Sequence, residues 1–257
     1  MRLPLDGRSI AYDLIGPETA PTVCITHSLA SDGGSWAEQV PPLLQAGFRV
    51  LRIDMRGHGG SDPVAGDYTM ADLAGDVAAV LDGLAIARVH YIGLSIGGML
   101  GQAFALAHQD KLISIMWCDT LPASPLGAKA AWDERMAIVR NANSLEPIGD
   151  ATMDRWFTPA FKTKNPKRWR QIRDTIVTTT PAGYLGCSTA ILGFDFNERA
   201  RFRGVVVETN LRGEPFAGVS LIERTRSALP VYQSGQIHWF SVQYLVEQTV
   251  EFFVLFV

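Results

Sequence analysis

Short apolar runs alternate with longer amphipathic segments over the first half of the chain. Four runs have the length and composition of buried strands, at residues 22–26, 48–54, 88–92 and 112–118. A weaker alternation over residues 9–15 indicates one more strand. Helical patterns lie between the later runs, at residues 36–46, 70–84 and 96–108. Strands that alternate with helices of roughly 10–15 residues predict βαβ units and a largely parallel sheet.

The pattern changes after residue 121. Residues 122–196 show helical spacing, contain three tryptophans and lack a convincing strand, which predicts a helical cap inserted into the sheet domain. Beyond it we predict a strand, a helix, a last strand and a closing helix, at residues 204–207, 220–229, 230–233 and 242–256. The predicted organisation is a core of residues 1–121 and 197–257 with a cap of residues 122–196.

The composition limits the classes of function that this protein can have. Of the 257 residues, 47% are apolar and 19% are charged, which is enough apolar material for one α/β domain with a cap. A net charge of −3 argues against a nucleic-acid partner and against a polybasic membrane anchor. The three cysteines are scattered, so neither a zinc site nor a disulfide framework is indicated. With no signal-peptide pattern and no apolar run of transmembrane length, we expect a cytoplasmic protein.

A motif with chemical meaning lies at residues 93–98, which read Gly-Leu-Ser-Ile-Gly-Gly and join a predicted strand to a predicted helix. This is the Gly-x-Ser-x-Gly pattern of a nucleophile elbow, in the strand–turn–helix context that the pattern requires. A side chain at Gly93 or Gly97 would collide with the neighbouring strand or helix. The turn would carry the Ser95 hydroxyl to a helix N-terminus. We therefore predict Ser95 as a nucleophile, with an ordinary Gly-rich turn as the alternative.

A serine hydroxyl needs a general base. His238 follows the last predicted strand in a loop downstream of Ser95, which is where the triad histidine lies in this architecture. One oxyanion donor is expected to be the N–H of Ile96, directly after the nucleophile. The other should come from the loop after residues 22–26, where we choose Leu29, with Ser28 as the competing assignment.

A Gly-rich loop at residues 54–62 follows the strand predicted at residues 48–54. We expect the charged residues of this loop to fix its shape rather than to perform chemistry. His58 in this loop is a weaker candidate for the site.

On these motifs the chain resembles the α/β-hydrolase superfamily, and residues 1–196 resemble the 3-oxoadipate enol-lactonases. The more specific stretches are His-Ser-Leu at residues 27–29 and Trp-Phe-Thr-Pro at residues 156–159. The resemblance implies an α/β-hydrolase fold with an eight-stranded, mostly parallel sheet and a helical cap. It also implies hydrolysis of a small carboxylate-bearing lactone without cofactor or metal. Trp132 and Arg135 are candidates for a carboxylate pocket in the cap, with core packing and a surface ion pair as their alternative roles.

The acid of the triad departs from the family pattern. In that family the strand after the cap leads into a Gly-x-x-Asp-Pro loop, but here Leu211 stands at the position of the Asp. A leucine cannot orient an imidazole. Asp119, at the end of the strand after the elbow helix, is our first candidate. Its position resembles that of the acid in the fungal zearalenone lactonases and the cofactor-free 2,4-dioxygenases. Glu214 and Glu208 are alternatives, and so is the absence of any acid.

The sequence is compatible with three functions. The first is a serine-dependent hydrolase of carboxylic esters or lactones that uses Ser95, His238 and Asp119. The second is a His–Asp dyad that deprotonates a heterocyclic substrate for direct reaction with oxygen. The third is a ligand-binding protein of this fold with a degraded triad. In all three the partner is a small molecule, and the apolar tail at residues 251–257 also allows a homo-oligomer.

Overall fold

The computed structural model describes residues 1–196 and, as backbone, two short strands at residues 206–209 and 220–221. The strands of these residues form one eight-stranded sheet. They are β1 (Arg2–Leu5), β2 (Arg8–Ile15), β3 (Thr22–Thr26), β4 (Arg49–Ile53), β5 (Val89–Leu94), β6 (Leu112–Cys118), β7 (Val206–Thr209) and β8 (Ser220–Leu221).

The strand order is β1-β2-β4-β3-β5-β6-β7-β8. All neighbours from β4 to β7 pair in parallel, whereas β1 with β2, β2 with β4 and β7 with β8 pair antiparallel. The predicted α/β fold with a mostly parallel eight-stranded sheet is therefore confirmed. In register, Thr26 pairs with Gly93 and Leu94 pairs with Cys118. The carboxyl ends of β3, β5 and β6 thus meet at one edge, where sheets of this kind bind their ligands.

Three α-helices connect the strands of the sheet in the first half of the chain. They are α1 (Val40–Gln45), α2 (Met70–Gly83) and α3 (Ile96–Ala107). The N-terminus of α2 carries a reciprocal capping box, in which Thr69 and Asp72 satisfy each other's backbone N–H groups. This cap explains why the helix begins where the apolar period begins.

The prediction of a single helix over residues 36–46 was too long. A 3₁₀ turn at Gly33–Trp36 comes first, and its start is capped by the Asp32 carboxylate, which accepts the Gly34 N–H at 2.8 Å. A separate α1 then begins with proline in its first positions. Proline there has no N–H to lose and carries a helical φ, so it starts a helix more readily than it continues one.

Among the described residues, five helices lie between β6 and residue 196, and we call them the inserted helices. They are α4 (Lys129–Ala142), α5 (Glu146–Trp156), α6 (Pro159–Lys164), α7 (Pro166–Thr178) and α8 (Pro181–Gly193). From α5 to α8, each has a proline in its first two positions, which divides one helical pattern into short pieces. Helix α4 packs against α5 and α8, and α7 packs against α5 and α6. No helix among the described residues is long and apolar enough to cross a membrane.

The central strands of the sheet are buried on both faces. All five residues of β3 are buried, as the continuous apolar run predicts for a central parallel strand. One face packs against α2 and α3 and continues into the inserted helices. The other face forms a smaller core around Trp36, Leu43 and Val50. The elbow region therefore rests on rigid, close-packed layers.

The outer strands differ from prediction. β1 had no sequence signal that we recognised, and β7 lies two residues further along the chain than predicted. Residues 220–221, predicted to start a helix, instead form β8, where Leu221 pairs with Val207. The open edge of β7 supplies backbone partners that a helix would not use, so tertiary pairing overrides local propensity. The elements predicted over residues 222–229, 230–233 and 242–256 lie outside the described residues.

The inserted helices are attached to the Gly-rich loop at a point of close backbone contact. The Thr180 N–H and hydroxyl both donate to the Gly57 carbonyl, at 3.0 and 2.8 Å. A Cβ at Gly57 would lie 2.4 Å from the Gly183 Cα, and Gly57 has a φ of +75°. Glycine is therefore required at both positions, because any side chain would separate α8 from the loop.

Candidate active site

Ser95 lies on the sharp turn between β5 and α3. Its φ of 55° and ψ of −116° are a conformation that residues with a side chain rarely adopt. The turn is held from outside, because the Ser95 N–H donates to the Cys118 carbonyl at 2.9 Å. The Ser95 carbonyl accepts the N–H groups of Gly98 and Met99 and the Thr120 hydroxyl. A strained serine that is fixed by so many neighbours is typical of a functional elbow.

The glycines flanking Ser95 are needed for close packing. A Cβ at Gly93 would lie 2.2 Å from the Gly97 carbonyl oxygen, and a Cβ at Gly97 would lie 2.7 Å from the Thr26 carbonyl oxygen. Contacts this short do not occur, so only glycine lets the start of α3 rest on β5 and β3. Both distances agree with the collision that the motif predicts at these two positions.

A buried hydroxyl pair supports the turn from beneath, and sequence reasoning missed it. The Thr26 and Tyr91 hydroxyl oxygens are 2.6 Å apart, and Tyr91 also donates to the Gly97 carbonyl at 2.9 Å. Burial raises the pKa of Tyr91 well above its usual value, so the phenol remains a proton donor. The sequence did show one polar residue in each of these two buried strands. That the two side chains meet follows only from the register between β3 and β5.

The two predicted oxyanion donors lie on elements that touch. Ile96 is the first residue of α3, so its N–H lacks a helical acceptor and lies at the positive end of the helix dipole. In the facing loop, Ala30 has a φ of 59° and donates its N–H to His58, while the Ser31 N–H bonds to Ser28. Among the described residues no acceptor takes the Leu29 N–H, as an oxyanion donor requires. The assignment to Leu29 rather than Ser28 stays a prediction.

Two buried histidines hold this loop in place. His58 Nε2 accepts the Ala30 N–H at 3.1 Å, and His27 Nε2 accepts the Met55 N–H at 3.0 Å. Each Nδ1 lies within hydrogen-bond distance of a backbone carbonyl, that of Ser28 for His27 and that of Arg56 for His58. An Nε2 that accepts must be unprotonated, so both rings are neutral and carry their proton on Nδ1. His58 is thus a positioning residue here, not a general base.

The same burial shifts the pKa values of both rings. The pKa of His58 falls from 6.5 to about 3, first because of burial and then because of repulsion by His27. The pKa of His27 is lowered by burial, which outweighs the attraction of Asp54. Protonation of either ring would remove an acceptor from a backbone N–H of the loops beside Ser95.

We expect the free energy of unfolding to fall as the pH drops from 6.5 towards about 3. In this range the His58 side chain is protonated in the unfolded chain, but it stays neutral in the folded protein because its pKa there is lower. In His58→Gln the slope should weaken by up to about 1.4 kcal/mol per pH unit over this window. Glutamine can accept the Ala30 N–H, so the variant should fold. Urea unfolding at a series of pH values measures the slope, and equal slopes in both proteins would contradict the prediction.

The charged residues of the Gly-rich loop fix its shape. The Asp54 carboxylate accepts the N–H groups of Gly33 and Gly60, at 2.7 and 2.9 Å. Arg56 is buried and pairs with the buried Asp76 on α2, with Nε and Oδ2 2.6 Å apart. The contacts of both side chains hold the loop together and fix it to α2, which agrees with the structural role expected from sequence.

Asp119 lies beside the nucleophile's backbone. It directly follows Cys118, the residue that accepts the Ser95 N–H, and it precedes Thr120, whose hydroxyl donates to the Ser95 carbonyl at 2.7 Å. Asp119 is exposed and has a φ of 41°, a left-handed conformation that turns the chain sharply at the end of β6. The structure therefore places this carboxylate at the sheet edge that carries Ser95.

The other triad candidates cannot be placed beside Ser95 in the same way. His238 and Glu214 lie outside the described residues, and so does Leu211, which stands at the family position of the acid. Glu208 lies in β7 and pairs in register with Trp117. The triad of Ser95, His238 and Asp119 stays a prediction.

The two residues predicted for a carboxylate pocket contact each other on α4. The Arg135 guanidinium lies over the Trp132 ring, 4.1 Å from its centre. Among the described residues Arg135 forms no ion pair. Trp132 is half-buried at the edge of the core. Their part in binding stays a prediction.

Known proteins share this fold and much of this sequence. The family model for the α/β hydrolase fold matches residues 21–198. The 3-oxoadipate enol-lactonase 1 of Acinetobacter baylyi is 31% identical over 193 residues, which cover 75% of this chain and 71% of that protein. The 3-oxoadipate enol-lactonase 2 of the same organism is 29% identical over 73% of this chain and 68% of its own length. The crystal structure of the enol-lactonase from Burkholderia xenovorans is 34% identical, with a TM-score of 0.76 over 81% of this chain and 80% of that one. This chain belongs to the α/β-hydrolase family.

Proposed function

We propose that this protein is a serine-dependent hydrolase that opens small lactones or cleaves small carboxylic esters. The main observation behind this proposal is the strained backbone of Ser95, which lies on a glycine-flanked turn at the N-terminus of α3. Enol-lactonases among its relatives and an enol-lactonase structure of the same fold support an ester or lactone bond as the target.

In the proposed mechanism the Ser95 oxygen attacks the substrate carbonyl carbon and His238 takes the hydroxyl proton. Asp119 orients His238 and stabilises its charged form. The N–H groups of Leu29 and Ile96 bind the oxyanion that develops on the carbonyl oxygen. His238 then returns the proton to the departing oxygen, which for a lactone stays tethered to the acyl group. Water, deprotonated by His238, finally attacks the acyl carbon, and His238 gives this proton to the Ser95 oxygen as the acid is released.

We further propose that residues 122–196 act as a cap over this site and that the substrate carries a carboxylate. The contact of α8 with the Gly57 loop supports the first part, because that loop also holds His58 and through it Ala30. The Arg135 guanidinium supports the second, since it meets a neutral ring rather than an acid. A small lactone with one free carboxylate is a substrate that agrees with both parts of this proposal.

Labelling with a fluorophosphonate tests the serine mechanism directly. We expect one label per chain on the peptide that contains Ser95, with turnover of p-nitrophenyl acetate and of small lactones lost in proportion to labelling. Ser114→Ala, on the neighbouring strand β6, should label and turn over like the wild type. Full turnover by labelled protein, or oxygen uptake with an N-heteroaromatic substrate, would instead support the dyad mechanism. Saturable ligand binding without turnover of any ester would support a binding protein.

A further inference from the structure

Three elements of the core meet beneath the elbow at two side-chain hydroxyls. Tyr91 lies on β5, and Thr26 is the last residue of β3. Both hydroxyls reach the Gly97 carbonyl in the first turn of α3, at 2.9 Å from Tyr91 and 3.2 Å from Thr26. The two hydroxyl oxygens are 2.6 Å apart. Both side chains are buried, so these hydrogen bonds form where water does not compete for them.

The two hydroxyl protons hold α3 in either possible order. If Thr26 donates to Tyr91, then Tyr91 donates to the Gly97 carbonyl. If Tyr91 donates to Thr26, then Thr26 donates to the same carbonyl. In both cases a chain of hydrogen bonds runs from the sheet to the helix whose first residue is Ile96.

The same contact sets the distance between α3 and the loop that follows β3. A Cβ at Gly97 would lie 2.7 Å from the Thr26 carbonyl oxygen and 2.8 Å from that of His27, so the start of the helix rests directly on this backbone. His27 begins the loop that contains Leu29. The two predicted oxyanion donors, the N–H groups of Leu29 and Ile96, therefore lie on the two elements that this contact joins.

The spacing of these donors matters because an oxyanion hole acts by preorganisation. A misplacement of about 1 Å can lower a rate by about a hundredfold. The Tyr91 ring is itself fixed against α3. It stacks on Phe104 with the ring centres 5.8 Å apart, and a Cβ at Gly101 would lie 2.5 Å from Tyr91 Cε1. A ring packed this closely gives its hydroxyl a defined position under the helix.

We propose that Tyr91, together with Thr26, is a positioning residue for the oxyanion hole. Its hydroxyl fixes the start of α3 on the end of β3 and so sets the spacing between the Leu29 and Ile96 N–H groups. The inference rests on the proposed function and deepens it, because it gives a catalytic consequence to a fully buried side chain. It predicts that loss of the hydroxyl slows the chemical step more than it weakens substrate binding.

Tyr91→Phe removes the hydroxyl and keeps the ring on Phe104. With p-nitrophenyl acetate we expect kcat to fall about tenfold and KM to stay within about twofold, because the donors bind the transition state rather than the ground state. Thr26→Val should behave like Tyr91→Phe, whereas Thr26→Ser, which keeps a hydroxyl, should stay within about threefold of the wild type. The double variant should lose no more than about what one single variant loses, because the two hydroxyls form one chain.

Tyr12→Phe is the matched control. Tyr12 packs against the same core from β2, and β4 and β3 separate that strand from β5. Its kcat should stay within about twofold of the wild type. The proposal would be overturned by a Tyr91→Phe variant with unchanged kcat, by a loss that appears in KM alone, or by an equal loss in Tyr12→Phe.

Hydrogen exchange separates this inference from the hydrolase mechanism, because it requires no turnover. In Tyr91→Phe we expect faster exchange of the backbone N–H groups of residues 97–101 and of the loop at residues 27–31, with exchange in α7 unchanged. This result in a protein that cleaves no ester would support the positioning role and count only against the proposed chemistry. Unchanged exchange in both segments, or an equal rise in α7, would overturn the inference in either case.

Discussion

Replacing Ser95 by alanine is expected to lower kcat for p-nitrophenyl acetate by about 10⁴-fold or more, since removal of a nucleophile abolishes the acyl-enzyme route. The oxyanion donors and the binding site remain, so any residual rate reflects these alone. Alanine faces the same backbone strain as serine at a φ of 55°, so the urea midpoint should hardly move. Steady-state kinetics beside urea unfolding measures both quantities.

Ser114→Ala is the matched control, because its hydroxyl lies 2.8 Å from His90 Nδ1 on the neighbouring strand and not at the elbow. Its activity should stay within about twofold of the wild type, because substitutions outside a site have small effects. A Ser95→Ala variant that keeps more than a tenth of the activity would exclude the nucleophilic role. Ser95 would then be a binding group, as in the dyad mechanism.

Replacing Asp119 by asparagine is expected to lower kcat by about a thousandfold, because an amide neither fixes the tautomer of the partner histidine nor stabilises its charge. Asparagine has nearly the same shape and tolerates a left-handed φ, so the sharp turn after β6 should persist. Activity with p-nitrophenyl acetate and the unfolding midpoint are measured together. A large loss of activity at unchanged stability would assign the acid.

Glu214→Gln and Glu208→Gln are the competing variants. If Asp119 is the acid, both should keep activity within about threefold of the wild type, as expected for residues outside a triad. If Asp119→Asn is active and Glu214→Gln is not, the acid is Glu214, close in sequence to the family position. If all three variants are active, His238 works without a carboxylate.

Local patterns accounted for much of the fold and for the core of the site. Alternating apolar runs predicted the central strands, and the glycines around Ser95 predicted the elbow, because both signals reside in residues close in sequence. The inserted helices were predicted as a helical segment but not as five pieces, although their prolines mark the starts. The β8 strand was missed because a two-residue strand depends on its partner and has no pattern of its own.

The residues that hold the site were harder to predict, because long-range contacts decide them. The Ala30 N–H bonds to His58 across 28 positions, and Thr26 meets Tyr91 across 65.

Sterics and apolar periodicity act over a few residues, so they suffice to predict the fold class, the position of Ser95 and the need for glycine beside it. Which side chains support and flank that turn follows from tertiary packing. Strand register joins Tyr91 to Thr26, and packing of the Gly57 loop on α8 attaches the inserted helices. Such contacts depend on how whole elements pack, and no local pattern encodes that packing.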